Sequence, residues 1–290
     1  MIIEELFCEV DDFCKLFFPQ WEATLISEGV QEKTWSCRMS PSEIMTIMIM
    51  FHQSHYRNFK HFYLIHIGKH HQHEFPSLLS YSRFVEQKKR IAMPLFFFML
   101  SLSKNENGIY FIDSTTIKAC HIKREKQHKV FDGLAEKSKS TLGWFFGFKL
   151  HILVNSSGEL MAVKLTRAKV DDREVVEDLS DGLMGKLIGD KGYISKTLKE
   201  KLFQNGIELI TKVRKNMKKI SLDGFDKLLL RKRAVVETVI DQLKNISQIE
   251  HTRHRSIENF LLNIVSGLTA YQLSPKKPSI NVEYTGVTVV

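Results

Sequence analysis

The sequence predicts an α/β fold in which a mixed sheet flanked by helices follows an all-helical N-terminal domain. Residues 1–100 have a helical pattern, whereas short β-rich runs alternate with helical runs from residue 109 onward. Of the 290 residues, 43% are hydrophobic and 26% are charged. This composition provides a sizeable core and excludes global disorder, and the length is comfortable for two domains.

Helix signals dominate the N-terminal region. The SPSE sequence at residues 40–43 forms a capping box with proline at the first helical position, and the apolar run Ile44–Phe51 follows it. A second apolar helix is predicted over Ile91–Leu102. The polar SKNENG stretch that comes next is typical of a linker.

After the linker, the predicted order is strand, strand, strand, helix, strand, helix, strand, helix. The strands are hydrophobic runs rich in β-branched residues, over 109–112, 148–154, 160–165, 186–189 and 207–213. The helices are predicted over 171–183, 195–205 and 228–249. An NSSG turn joins the second and third strands as a hairpin, and we interpret the polar, basic residues 114–143 as an excursion from the sheet.

This order matches a ribonuclease H-like arrangement, in which a meander is followed by right-handed crossovers into a mixed sheet. The predicted domains are therefore a helical domain over 1–102, a ribonuclease H-like domain over 103–275 and a tail over 276–290.

Charge is distributed unevenly along the chain. Residues 1–100 contain 10 Lys and Arg against 11 Asp and Glu, whereas residues 101–290 contain 32 against 22. A basic region of this size attracts polyanions, most simply nucleic acid, because binding releases counterions. A basic surface that only keeps the chain in solution is the alternative.

Two aspartates occupy equivalent positions in the predicted sheet. Asp113 and Asp190 each follow a short hydrophobic strand. If these strands are parallel neighbours, both carboxylates lie at the edge of the sheet where ligands bind in open α/β folds. They repel each other unless a cation lies between them, and Mg²⁺ prefers oxygen ligands. Either aspartate alone is more simply a turn or capping residue.

A third carboxylate lies on the last predicted helix. On a helical wheel, Glu237 and Lys244 fall close to Arg233, on a stripe apart from the apolar arc. Glu237 could therefore reach the metal site while the two basic side chains face an incoming phosphate. An exposed i,i+4 ion pair between Arg233 and Glu237 is the alternative.

These residues carry a family resemblance. Asp113 in YFIDSTT, Asp190 in IGDKGYIS and Glu237 in RxxxExxxxxxK resemble the acidic triad of DDE transposases from bacterial insertion sequences. The resemblance covers about residues 108–278, including GFKLHI and HTRHRS, and the N-terminal SPSEIMTIMIMFHQSHYRNFKHFY resembles the helical leader of one group in that superfamily. The chain departs from the family at Leu230, where a tyrosine is usual, and at Asp171-Asp172, where His-Asp is common.

The resemblance implies a transposase that cuts DNA at the ends of a mobile element and joins those ends to a target. Both steps are in-line phosphoryl transfers, for which two metal ions activate the attacking oxygen and stabilise the leaving one. The implied cofactor is two Mg²⁺ ions held by Asp113, Asp190 and Glu237, with Mn²⁺ able to substitute. A homodimer on double-stranded DNA is implied by analogy. Two alternatives stay open: a ribonuclease H-like nuclease without strand transfer, and a catalytically inactive DNA-binding relative.

Basic residues near the triad are candidate DNA contacts, with solvated surface as the alternative. Those we single out are Arg233, Lys244, Lys149, Lys191, Lys212, Arg214, Lys215, Arg253 and Arg255. Trp144 could stack on a displaced base, although the start of an apolar strand explains it more simply.

The predicted location is the cytoplasm, in association with the nucleoid. Four cysteines without CxxC spacing are too few for a disulfide scaffold. The acidic N-terminus does not resemble a secretory signal, and no apolar run is long enough for a membrane span.

Overall fold

The computed structural model describes residues 2–29, 35–102, 104–140, 143–213, 222–250, 254, 256–280 and 282. These residues form two compact units. The first unit contains the described residues within 1–102 and 243–275, and the second contains those within 103–242 and beyond 275. The three-part domain division made from the sequence stays a prediction, because packing units and functional domains are different divisions of a chain.

The first unit is helical. Its α-helices are α1 (Ile3–Ser27), α2 (Pro41–Gln53), α3 (Phe59–His61), α4 (Tyr81–Gln87), α5 (Ala92–Ser101) and the later α10 (Ile257–Gln272). A π-helix (Phe62–His70) follows α3, and a 3₁₀ helix (Lys88–Ile91) joins α4 to α5. In the described part of the chain, no helix is both long enough and apolar enough to cross a membrane.

Helix α2 begins where the capping box predicted. Ser40 Oγ accepts a hydrogen bond from the Glu43 backbone N–H at 3.1 Å, and Glu43 Oε2 accepts one from the Ser40 N–H at 2.6 Å. These two bonds satisfy backbone donors that a helix start leaves unpaired. The apolar run Ile44–Phe51 is buried throughout, so α2 lies in the core of the helical unit.

The described residues of the second unit include a six-stranded sheet. Its strands are β1 (Ile109–Cys120), β2 (Glu136–Ser140), β3 (Gly143–Asn155), β4 (Leu160–Arg167), β5 (Gly185–Gly189) and β6 (Ile207–Thr211). Its helices are α6 (Val176–Leu179), α7 (Lys196–Gln204), α8 (Gly224–Lys232) and α9 (Ala234–Asn245), the last of which spans the division at residue 242. Short 3₁₀ helices cover Ile122–Gln127, Asp172–Val175 and Lys191–Tyr193.

The order of the strands confirms the predicted mixed sheet. Strand β3 pairs antiparallel with β1 on one side and with β2 and β4 on the other. Beyond β1, β5 and β6 follow as parallel neighbours. A three-stranded antiparallel meander thus continues into parallel strands reached by helical crossovers, which is the ribonuclease H-like arrangement expected from the sequence.

Strand β1 corrects the prediction that Asp113 ends a strand. The strand continues to Cys120, paired with β3, so Asp113 lies within it. Only Ile109–Phe111 pairs with β5, and Asp113 therefore lies just beyond the parallel part of β1. The polar sequence after Asp113 concealed this continuation, because its outward-facing residues break the apolar run that identifies a buried strand.

Three other predicted segments differ from the structure. The supposed excursion 114–143 contains β2, whose sequence EKSKS has no apolar residue to identify it. The helix predicted over 171–183 is a 3₁₀ turn followed by the short α6. The single helix predicted over 228–249 is broken into α8 and α9 at Arg233.

Candidate functional site

Two aspartates of the second unit lie level with each other at the end of the parallel strands. Phe111 of β1 pairs with Ile188 of β5. Asp113 and Asp190 are each two residues further along, so they follow the same register and their side chains leave the same face of the sheet. The prediction that these strands are parallel neighbours is confirmed.

Asp113 has both carboxylate oxygens engaged. Oδ1 accepts a hydrogen bond from the Ser114 backbone N–H at 2.8 Å, and Oδ2 lies 3.1 Å from Arg233 Nη1. Burial raises the pKa of Asp113 above its ordinary value, the Asp190 carboxylate adds to the rise, and Ser114 and Arg233 oppose it. Because the two carboxylates repel each other, a positive charge bound between them would be stabilised.

Asp190 follows β5 directly and caps the short 3₁₀ turn after it. Its Oδ1 accepts a hydrogen bond from the Gly192 backbone N–H at 2.7 Å. A Cβ at residue 192 would lie 2.8 Å from this oxygen, so glycine permits the close approach. The turn fixes the direction of the carboxylate at the end of the sheet.

Arg233 joins the third carboxylate to the first. It lies in the turn between α8 and α9, and its side chain is 20% exposed. The guanidinium donates to Asp113 and also to Glu237 in the first turn of α9. The i,i+4 ion pair given as the alternative is therefore present, but the same arginine also bridges to the sheet. Sequence reasoning assigned Arg233 to DNA and missed this bridge.

The chemistry of these side chains fits a divalent cation. The described residues contain no group of three or more His, Cys, Asp or Glu side chains placed to hold a metal ion. The three carboxylates nevertheless supply the oxygen donors that Mg²⁺ prefers, and a protein cation already compensates two of them. Carboxylate oxygens of this kind are the donors that a hard cation prefers.

Tyr193 is a residue near this site that sequence reasoning did not single out. Burial raises the pKa of its hydroxyl, and the carboxylates of Asp172, Asp113 and Asp190 raise it further. The hydroxyl has no hydrogen-bond partner among the described residues. Its position three residues after Asp190, in the IGDKGYIS sequence, was the available clue.

Lys149, a predicted DNA contact, belongs to a polar cluster in the second unit. Its Nζ donates to the Val170 carbonyl at 2.7 Å and lies 3.2 Å from Asp172 Oδ1. His151 is fully buried, with Nδ1 3.5 Å from the same Asp172 oxygen, and burial lowers its pKa to about 4. With a side chain only 18% exposed, Lys149 is held by the protein, and its contact with DNA stays a prediction.

The other predicted DNA contacts lie in several places. Lys191 follows Asp190 and is exposed, and Lys212 is exposed directly after β6. Lys244 lies in the part of α9 that belongs to the first unit, with Nζ 3.0 Å from Glu250 Oε2. Four more predicted contacts lie outside the described residues: Arg214, Lys215, Arg253 and Arg255.

Comparisons with known proteins give one family match. A family model described as Transposase DDE domain matches residues 103–257, which is more than half of the chain. No curated protein matches the chain. One similar solved structure is the piggyBac transposase in a synaptic complex with hairpin DNA, with 10% identity, a TM-score of 0.48, and coverage of 92% of this chain and 72% of that chain. Another is the Mos1 strand transfer complex, with 13% identity, a TM-score of 0.26, and coverage of 85% and 81%.

Proposed function

The chain belongs to the transposase DDE domain family, and from that premise we propose that it cuts DNA strands at the ends of a mobile element and transfers them to target DNA. The observation that carries this proposal is the gathering of carboxylates at one end of the parallel strands. Asp113 and Asp190 are level there, and Arg233 links Asp113 to Glu237.

We assign Asp113, Asp190 and Glu237 as the residues that hold the metal. When bound, two Mg²⁺ ions would supply the positive charge that activates the attacking oxygen and stabilises the leaving oxygen. The chain contributes the position of each oxygen donor. The Ser114 N–H orients Asp113, the Gly192 N–H orients Asp190, and the first turn of α9 presents Glu237.

Arg233 has a positioning role in this proposal. Its planar guanidinium offers five N–H donors in a fixed fork, and two of its nitrogens are on carboxylates. The arginine therefore holds a carboxylate from the sheet and one from the helix in a common arrangement. Its other donors can contact a phosphate oxygen of the DNA.

The proposed substrate is double-stranded DNA, held by the basic residues of the second unit. The exposed Lys191 and Lys212 lie at the same end of the parallel strands as the carboxylates. Affinity should fall steeply as salt concentration rises, because each phosphate contact releases counterions. We also propose a homodimer on DNA, since the reaction requires two element ends to be held together.

Strand cleavage by single variants tests the proposal. Asp113→Asn, Asp190→Asn and Glu237→Gln are each incubated with Mg²⁺ and labelled DNA that carries the inverted repeats flanking the coding sequence. Each variant should lose cleavage and keep DNA binding. Asp181→Asn is the matched control, because it removes an exposed carboxylate of the same unit. Cleavage that persists in all three variants would refute the assigned site.

Two alternatives give different products in the same assay. A nuclease without strand transfer gives cut ends but no product joined to target DNA. A non-catalytic DNA-binding relative shows no cleavage that depends on Asp113, and its DNA binding survives Asp113→Asn.

A further inference from the structure

The helical first unit contains a large cavity that the carboxylate site does not explain. Its volume is about 770 Å³, within the range of about 300–1,000 Å³ that is typical of ligand sites. The wall comes from four segments: the end of α2, the loop and short helix after it, the stretch from α4 into the 3₁₀ helix, and the start of α10 with the residues before it.

Three of the described residues that line this cavity have cationic side chains. Arg57 and Lys60 come from the segment after α2, and Lys88 comes from the start of the 3₁₀ helix. Lys88 Nζ lies 4.4 Å from the centre of the Phe59 ring, and Lys60 Nζ lies 5.7 Å from the centre of the Tyr81 ring. An ammonium on an aromatic face is stabilised there and keeps N–H donors that an anion can accept.

The described residues of the cavity wall carry little negative charge to match these cations. Glu86 is the one acid among the described lining residues, and it is 2.8 Å from Arg83. Burial, together with the smaller effect of the neighbouring Lys89, lowers the pKa of Lys88 to about 8. A lysine in this condition gains from an anion that enters the cavity, because the anion restores the stability of the charged form.

The polar groups around the cations suit a nucleotide. The side chains of Asn58, Asn259 and Asn263 also line the cavity, and Asn259 Oδ1 is buried with no hydrogen-bond partner among the described residues. Amide groups recognise the edges of bases, and aromatic rings provide surfaces for stacking. His254, also in the wall, is neutral at physiological pH, because burial lowers its pKa to about 4.

We propose that this cavity binds a phosphate group of a DNA strand through Arg57, Lys60 and Lys88, which gives the helical unit a nucleic-acid site of its own. The identity of the partner rests on the proposed function, whereas the site rests on the cavity and its unbalanced charge. The net charge of residues 1–100 is close to zero, so the positive charge of this site comes from a local cluster of cations and not from the region as a whole.

DNA affinity of the full-length chain tests the proposal. Arg57→Gln, Lys60→Gln and Lys88→Gln are compared with the wild type by fluorescence anisotropy on a short labelled duplex over a range of salt concentrations. Each substitution should lower the slope of log affinity against log salt by about 1 and weaken binding by up to about tenfold. Lys69→Gln is the matched control, because it removes an exposed charge of the same unit outside the cavity wall.

Folding is checked separately. Arg57 and Lys60 are exposed, so their substitution leaves the core intact. If Lys88→Gln fails to fold, the salt slopes of these two variants test whether the cavity binds DNA. Lys88→Arg keeps the charge and should retain the salt slope. Unchanged slopes in Arg57→Gln and Lys60→Gln would overturn the proposal.

Two further measurements separate the possible sources of phosphate and the two proposals. Inorganic phosphate and thymidine 5′-monophosphate are tested for thermal stabilisation of the wild type and of Lys88→Gln. If phosphate or the nucleotide stabilises the chain through Lys88, and DNA affinity does not depend on the three cations, then DNA is not the partner.

The two proposals can also fail separately. If cleavage depends on Asp113 but the cavity variants bind DNA normally, the cavity proposal is refuted and the proposed function stands. If DNA binding depends on the cavity but the chain never cuts DNA, the proposed function is refuted and the cavity proposal stands.

Discussion

The two units of this chain gather charges of opposite sign and stabilise them differently. In the second unit, Arg233 compensates Asp113 and Glu237 with a cation from the same chain. In the first unit, Lys88 lies on an aromatic ring and its pKa falls to about 8. The acidic site is therefore partly balanced before any ligand binds, whereas the cationic cavity leaves its charge for a partner to neutralise.

This difference predicts that substitutions in the second unit reduce DNA cleavage and that substitutions in the first unit reduce DNA binding. The largest expected effect is on cleavage. Asp190→Asn should lower the cleavage rate by at least about a thousandfold, the scale seen when a charge-stabilising group is removed from a phosphoryl-transfer site. Its DNA affinity should stay the same or rise, because an anion has been removed. Arg57→Gln should show the reverse pattern, with weaker binding and a normal cleavage rate at saturating DNA.

Single-turnover cleavage and anisotropy on the same preparations measure both quantities. If Asp190→Asn and Arg57→Gln lower the same quantity, the division of work between the units is wrong.

Acid should destabilise both units through buried histidines. His52 in the first unit and His151 in the second are buried, and burial lowers the pKa of each to about 4. The unfolded chain binds the proton near pH 6.5, so this stability is complete above that pH and declines as pH falls towards 4. At pH 5 the loss should be about 2 kcal/mol for each histidine.

Urea unfolding at pH 7 and pH 5 measures this loss. His52→Asn and His151→Asn should each reduce the difference between the two pH values, even where the variant is less stable at both. If neither variant changes the difference in unfolding free energy between pH 7 and pH 5, the acid sensitivity does not come from these histidines.

Removing Arg233 should lower the stability of the fold, because the carboxylates of the acidic site would then repel each other. Arg233→Met leaves Asp113 near Asp190 with no compensating cation, and we expect a loss of about 1–2 kcal/mol. A fully buried pair would lose about 3–5 kcal/mol, and the partial exposure of Arg233 reduces this. Mg²⁺ should stabilise the variant more than the wild type in thermal unfolding, and Ca²⁺ serves as a second hard cation. Failure of both ions to stabilise either protein would argue against a metal at these carboxylates.

The smallest expected effect is the pH dependence of DNA binding. A bound phosphate favours protonated Lys88, so affinity should fall as pH rises through about 8 and be lower by up to about tenfold at pH 9. Lys88→Arg stays charged and should remove this dependence. Among the described residues, the charged or titratable groups near Lys88 are Arg57, Lys60, Tyr81, Glu86, Lys89, His52 and His254. The two histidines have a pKa of about 4, so they do not titrate between pH 7 and 9.

Much of the acidic site could be predicted because it follows local patterns. A hydrophobic run precedes both Asp113 and Asp190, and parallel strands in one sheet bring such positions to a common edge. The four-residue spacing of Arg233 and Glu237 fixes their contact on neighbouring turns. These relations hold although β1 is longer than predicted and a break separates α8 from α9.

The cationic cavity could not be predicted in this way. Arg57 and Lys88 are thirty-one residues apart, and His254 follows far along the chain. The net charge of residues 1–100 is close to zero, so it does not reveal these cations. Trp144 shows the same limit on a smaller scale, since it is 59% exposed while Phe145, beside it, is 4% exposed. Only the pairing of β3 with its neighbours decides which of the two enters the core.

By itself, the sequence determined the mixed α/β architecture, the level placement of two aspartates and the helical character of the first unit. Each of these depends on periodicity and capping within a few turns or strands. The tertiary structure alone decided that Arg233 bridges two carboxylates, that Lys149 is held by Asp172, and that cations from separate segments share one cavity. Those facts depend on which distant segments pack together, and burial and electrostatic energy are properties of that packing.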